Sequence, residues 1–558
     1  MFVYYRLSID VVVFALLSSS CVLTLPIENE SLDLIILHNN DMHAHFEQSD
    51  ASTGKCQTYD AQANKCYGGF ARVSHLVKAF RAEAETGGPP VLYLNAGDTY
   101  AGTPWFSIFK HKISSEFMNI LKPDAMSLGN HEFDLGVEGL EPFLKEVKFP
   151  VLAANINNKD DHPLWQTGSL KKCIVFNVEG HKVGVIGYLT PETKSLAMKN
   201  DVEFISEIDA INKEAEALNN VGVKIIIALG HSGYEVDKQI AKNCPLVDVV
   251  VGGHTHTFLY SGWQPDIEKI EGPYPTIVVQ DSGKKVPVVQ AYAFTKYMGI
   301  LRLKFDDGGN VMSWSGQPIL LDSTIPQDPE VVELENVYRP QVEEILEKVI
   351  GVTKVRLDGW SCRITECNVG NLITDAVVNT RIRQHIGADL TDAPIALVAS
   401  GDIRASAKIG NLTQFDLGTI LPYENRLVVV NITGYMLRQV LEHSVKRYTE
   451  VSPPGEFLQV SGLRVVYNIT RTSCNRVESI KVLCSSCQVP IYQDLEPNHV
   501  YGVIVSSFVY EGGDGFTMFH GLQSNYLNTT IQEAVLSYIQ KTGVVYPSVM
   551  GRIQVYKN

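Results

Sequence analysis

The chain has 558 residues, too many for one ordinary hydrophobic core, so two domains are the natural expectation. Its 45% hydrophobic content is that of a globular protein. A formal charge of −15 argues against general nucleic-acid binding but leaves room for a local basic pocket.

Residues 1–25 read as a secretory signal. Arg6 supplies the positive region, Val11-Val12-Val13-Phe14-Ala15-Leu16-Leu17 the apolar run, and Ser18, Ser19, Ser20 and Cys21 small residues for cleavage. The apolar run falls short of the ~20 residues that span a bilayer. The final residues carry no hydrophobic tail for a lipid anchor, so a secreted protein without a membrane anchor is expected. Cysteine usage agrees with an oxidising compartment. Of 10 cysteines, Cys56 and Cys66, Cys362 and Cys367, and Cys484 and Cys487 are spaced for short-range bridges. Cys173, Cys244 and Cys474 cannot all pair within one chain. Cys484-Ser485-Ser486-Cys487 also has the form of half a zinc site, but no second pair completes it. Asn29, Asn411, Asn431, Asn468 and Asn528 stand in N-x-S/T sequons.

Apolar strands are predicted at 32–37, 91–94, 151–154, 183–188, 223–229 and 247–251. Helices are predicted at 68–85, 105–121 and 208–220. This alternation implies a layered α/β domain over residues 26–325. Ile325-Pro326-Gln327-Asp328-Pro329 marks a boundary, and a charged amphipathic helix at 330–349 reads as a linker within 326–350. Residues 351–558 form a second α/β or α+β domain. Its predicted helices lie at 368–385 and 435–448, and its strands at 395–398, 427–431, 463–467 and 500–505.

The residues that carry chemistry follow the strands of the first domain. Ser127-Leu128-Gly129-Asn130-His131-Glu132-Phe133-Asp134 delivers an amide, an imidazole and carboxylates just past an apolar run. A helix cap is the plain alternative. Asp41 and His43, Asp98, His231, and His254 and His256 occupy the same kind of position. In open α/β sheets the carboxyl ends of strands converge on one crevice, so these segments can meet. Asp41, His43, Asp98, Asn130, His231, His254 and His256 are a mixed N/O set suited to Zn²⁺, Mn²⁺ or Fe. The set is too large for one tetrahedral ion. It suits two divalent ions about 3.5–4 Å apart that share Asp98, an arrangement matched to in-line displacement at phosphorus. A closed structural metal site is the alternative. His131, next to Asn130 and three residues before Asp134, fits a carboxylate–imidazole pair that eases departure of a leaving group. His75, His111, His162 and His181 lack this context and read as surface or packing residues.

The segments LHNNDMHA, NAGDTYAGT, LGNHEFDLG, ALGHSG and GGHTHTFLY, in this order, resemble those of the calcineurin-like metallophosphoesterases. More narrowly they resemble the 5′-nucleotidases and secreted apyrases, including those of blood-feeding arthropods. The resemblance continues through KVPVVQAYAFTKYMG, SCRITECNVGNLITDA and SSFVYEGGDGFTMF. It implies a four-layered metallophosphatase domain, a linker helix, and a nucleotide-binding domain that rotates over the metals. It would place one metal, zinc by preference, on Asp41, His43, Asp98 and His256, and a second on Asp98, Asn130, His231 and His254. His131 and Asp134 would be the catalytic pair. Arg363 and Arg404 would bind phosphate, Tyr423 and Phe508 would sandwich the base, and Asp514 would hold the ribose.

The family's NGGGIR loop reads Ala399-Ser400-Gly401-Asp402-Ile403-Arg404 here, which adds an acid beside a phosphate-binding arginine. That loop and the absent anchor favour an apyrase that takes ATP and ADP to AMP. The alternatives are a 5′-nucleotidase that takes AMP to adenosine, and a non-catalytic protein that sequesters nucleotides.

Overall fold

The computed structural model describes residues 31–557, apart from 158–161, 198, 199 and 452. The expected signal segment and the Asn29 sequon lie outside the described residues. Among the described residues no helix is long and apolar enough to cross a membrane.

The first domain is built on two sheets packed face to face. Strand Leu32–Asn39 pairs in parallel with Val91–Asn95, which pairs in parallel with Ala125–Ser127. These lie centrally in a seven-stranded sheet. A six-stranded sheet holds His181–Leu189, Ile225–His231 and Val249–Val251 as parallel neighbours. Side chains alternate faces along a strand. Leu32, Leu34 and Ile36 therefore meet Val185, Ile227 and Val249 between the sheets. Ile35 and Leu37 turn outward to Phe70, Val73 and Phe117 on the covering helices. Each fully buried aliphatic side chain contributes about 1.5–3 kcal/mol. Helices outside both sheets complete four layers, and the loops after the parallel strands open at one edge.

Two local expectations are corrected. The helix predicted over 105–121 is two helices, Pro104–Phe109 and His111–Leu121. Lys110, at φ 55°, breaks it and returns its N–H to Phe106. The hairpin Tyr297–Phe305 and Val311–Leu320 went unpredicted. Its second strand is largely exposed and carries little apolar alternation.

Helix Pro329–Leu346 is capped by Asp328, whose carboxylate accepts from Glu330 N, and it stops short of the predicted end at Val349. Tyr338 stacks edge-on against Phe109, and Val331 and Val342 enter the same core, so the helix is packed onto the first domain. The second domain centres on a mixed five-stranded sheet containing Ile395–Ala399, Val500–Ser506 and Arg426–Thr433. Helices Asn368–Gln384 and Ile531–Thr542 share a core on one face, and Gly434–Ser444 packs on the other. Cys56–Cys66, Cys362–Cys367 and Cys484–Cys487 are disulfides, which removes the half-zinc-site reading of the last pair. Cys173, Cys244 and Cys474 are free.

Candidate functional site

The structure brings the strand-end residues of the first domain into one cluster. Asp41, Asp98, His43, His254 and His256 all take positive φ, between 46° and 80°. Non-glycine residues in this region store strain that the surrounding fold must hold, which is typical of functional loops. Asp41 Oδ2 accepts from Asn40 Nδ2 at 2.7 Å and from His254 N at 2.9 Å. Asp98 Oδ1 accepts from His131 N at 2.9 Å. The opposite oxygens are left facing the imidazoles. Asp41 Oδ1 is 3.2 Å from His256 Nε2, and Asp98 Oδ2 is 2.8 Å from His231 Nε2.

Two histidines are oriented from behind. His231 Nδ1 donates to the Ala96 carbonyl at 2.6 Å, and His43 Nδ1 lies 3.3 Å from the Tyr100 carbonyl. Such bonds turn Nε2 toward the cluster. Burial, reinforced by His231, pushes His254 down to about 3, so it stands as a neutral imidazole. Burial would raise Asp98, but His231 and His131 outweigh it and hold the carboxyl well below its usual range.

The donors fall into the groups Asp41–His43–His256 and Asp98–His231–His254, with ligand atoms within 4.8 Å of one another. Asp98 also groups with His43 and His131, so it reaches both sides. Asn130 Oδ1 is buried without a hydrogen-bond partner, and Asp41 Oδ1 and His231 Nε2 are buried with no well-directed hydrogen bond beyond their close approaches to His256 and Asp98. Unsatisfied buried atoms are costly, and divalent cations would satisfy all three. The residues present therefore fit a dinuclear site. Asn130 begins the short turn His131–Phe133 but its side chain makes no cap bond, so the helix-cap alternative fails.

His131 Nδ1 lies 2.8 Å from Asp134 Oδ2. Burial opposes a charge on His131, but Asp134 and Asp98 outweigh it and hold the ring above the usual imidazole range.

Glu132 was not singled out by sequence reasoning. Its Oε2 accepts from Gly129 N and Asp98 N at 2.7 and 3.0 Å, and its Oε1 from Thr99 N and Tyr100 N at 2.7 and 3.2 Å. One buried carboxyl thus ties the Asp98 turn to the Asn130 turn. Burial, with Asp98 beside it, pushes this group up to about 7. Its only sequence signal was its place inside the NHEFD segment.

The second domain faces this cluster. Arg404 Nη2 donates to His43 Nε2 at 3.1 Å. The Tyr423 ring stacks on His131 at 5.9 Å and 10°, and its hydroxyl is buried without a partner. Arg363 donates to the Pro453 carbonyl at 3.0 Å. Burial and neighbouring Arg404 lower it to about 10. Asp514, at φ 51°, is pushed up to about 6 by burial and by Glu456. Phe508 is partly buried, its ring against Gly513, where an added Cβ would come within 2.5 Å of it. It makes no ring contact with Tyr423 among the described residues.

Residues 34–258 match the model of the calcineurin-like phosphoesterases, and residues 349–521 match that of the 5′-nucleotidase C-terminal domain. The chain is 50% identical to Protein 5NUC of Lutzomyia longipalpis, covering 99% of this chain and 98% of that one. It is 44% identical to the 5′-nucleotidase of Bos taurus, covering 94% of this chain and 91% of that one. A crystal structure of a 5′-nucleotidase precursor from Thermus thermophilus superposes with a TM-score of 0.85 at 32% identity, covering 94% of this chain and 100% of that one. Taken with the dinuclear donor set, these matches establish that the chain belongs to the 5′-nucleotidase family of calcineurin-like phosphoesterases and is a metal-dependent hydrolase.

Proposed function

We propose that the chain is a secreted 5′-nucleotidase that hydrolyses nucleoside monophosphates to nucleoside and phosphate. The observation that carries this is the meeting of the two domains, with Arg404 on His43 and Tyr423 on His131. Groups suited to a nucleotide's phosphate and base thereby face groups suited to two metals. The altered Asp402 loop favours an apyrase, but the similar proteins of Bos taurus and Thermus thermophilus carry the name 5′-nucleotidase, which moves the proposal to the monophosphate. Three disulfides fit an oxidising, extracellular setting.

In this reading Asp41, His43, Asp98 and His256 hold one divalent ion and Asp98, Asn130, His231 and His254 the other. Imidazole and carboxylate donors suit zinc. When bound, such a pair activates water and neutralises charge in an in-line displacement. The chain's own residues supply the rest. Asp134 fixes the His131 ring through Nδ1, which leaves Nε2–H to stabilise charge developing on the phosphoryl group. Arg363 and Arg404 bind phosphate oxygens with planar donor forks. Asp514 accepts from the ribose hydroxyls, and Phe508 and Tyr423 stack on the base. The helix at 329–346 connects the two binding halves, and opening of the cleft releases product.

The deciding experiment follows ATP, ADP, AMP and adenosine with the purified protein, before and after chelation. Conversion of AMP to adenosine, lost on chelation and regained with Zn²⁺, is expected. Accumulation of AMP from ATP and ADP would make the chain an apyrase. Release of no more than one phosphate per protein would make it a nucleotide-binding protein.

A further inference from the structure

Asp402 closes the short turn Ser400–Asp402 after strand Ile395–Ala399, two residues before Arg404. It is only 4% exposed. Its Oδ1 accepts from Asn425 Nδ2 at 2.9 Å, and its Oδ2 has no hydrogen-bond partner. Asn425 stands two residues after Tyr423. A bond from Arg404 N to the carbonyl of Ile420, at 2.9 Å, ties the Arg404 loop to the end of helix Gln414–Ile420, which leads into the Tyr423 loop.

A buried acid with one half-satisfied carboxyl is an expensive residue for a fold to carry. Burial and nearby Asp514 push it up to about 7. Its side chain makes one hydrogen bond, and that bond links the two loops that cross to the first domain. One presents Arg404 to His43, and the other presents Tyr423 to His131.

We infer that Asp402 is a positioning residue that, through Asn425, couples the Arg404 loop to the Tyr423 loop and so sets the spacing between the phosphate contact and the base contact. This rests on the nucleotide reading given above. A nucleotide held at both ends senses that spacing. A small aryl phosphate, held at the phosphate alone, does not.

The test compares Asp402→Ala, Asn425→Ala, the double variant and Asp402→Asn in the full metal-loaded chain, with AMP and with p-nitrophenyl phosphate. Each alanine variant should raise KM for AMP about tenfold, the scale of one buried hydrogen bond. kcat for AMP should change little, and so should both constants for the aryl phosphate. The double variant should be no worse than the weaker single, as expected for two partners of one bond. Asp402→Asn keeps an oxygen acceptor and should restore the wild-type KM. Additive losses would overturn the coupling. So would an Asp402→Asn as impaired as Asp402→Ala, since the charge and not the bond would then matter. If Asp402→Ala does not fold, Asn425→Ala decides, and an unchanged KM for AMP overturns the inference. Wild-type protein that cleaves the aryl phosphate but no nucleotide would instead refute the nucleotide reading itself.

Discussion

Arg404 of the second domain donates a hydrogen bond to His43 Nε2 of the first, at 3.1 Å. Because His43 turns Nδ1 to the Tyr100 carbonyl, Nε2 carries the ring's available lone pair. One lone pair cannot serve a guanidinium and a metal ion together. A metal ion held by His43 would therefore compete with Arg404 for Nε2 and would free the guanidinium for a substrate's negative charge. Arg404→Ala should lower kcat/KM for AMP roughly 10²-fold, equivalent to one strong charge-assisted contact. Metal content, measured by elemental analysis, should not change. Loss of metal in this variant would mean that the arginine supports the metal centre and not the substrate.

His131 is held by Asp134 at 2.8 Å and lies 3.9 Å from Asp98 Oδ2. His131→Ala should keep both metals yet slow turnover about 10²–10⁴-fold, the range for a positioned acid–base group. A variant that loses one equivalent of metal would show His131 to be a ligand.

Glu132 gathers backbone N–H groups from both loops that present Asp98 and Asn130. Glu132→Gln replaces one acceptor oxygen by a donor and leaves part of that set unsatisfied. Metal affinity should fall about 10–100-fold, as for other residues that support ligands from behind. Titration of the metal-free variant with Zn²⁺ measures this. Wild-type affinity in a folded variant would show that the two turns hold themselves.

Glu335, on the helix between the domains, is 5% exposed, and Glu47 shares its partner Arg339. Burial, then the charge of Glu47, pushes Glu335 up to about 8. The folded state thus keeps a proton that the unfolded chain releases near pH ~4.3. Stability is lost as pH rises from that value toward 8, and the loss is complete above it. Glu335→Gln should therefore raise Tm at pH ~9 by on the order of 2–4 °C and leave it unchanged at pH ~4. Equal Tm values at the higher pH would show that Arg339 neutralises the buried charge.

The candidate metal residues were legible because each ends or follows a buried apolar strand. Leu32–Asn39 leads to Asp41, Val91–Asn95 to Asp98, Ala125–Ser127 to Asn130, and Ile225–His231 ends in a ligand type. A strand signal and a polar stop are local patterns, and parallel pairing carries every such stop to the same edge. The disulfides were legible for the same reason, since their partners are close in sequence. The break at Lys110 was not, because a lysine in an apolar-periodic run carries no helix-stopping signal.

What the tertiary structure alone decided lies across long separations. Arg404 and His43 are 361 positions apart, and no pattern in either segment names the other. Tyr423 is placed at the base by resemblance alone, and nothing in its segment announces that the second domain sets its ring on His131. Glu132 reads as one acid among several until the fold aims four backbone N–H groups at it. Sequence by itself determined which chemical groups stand at strand ends, because strand period and turn residues are local properties. The structure decided which of those groups meet, because meeting depends on how two sheets and two domains pack.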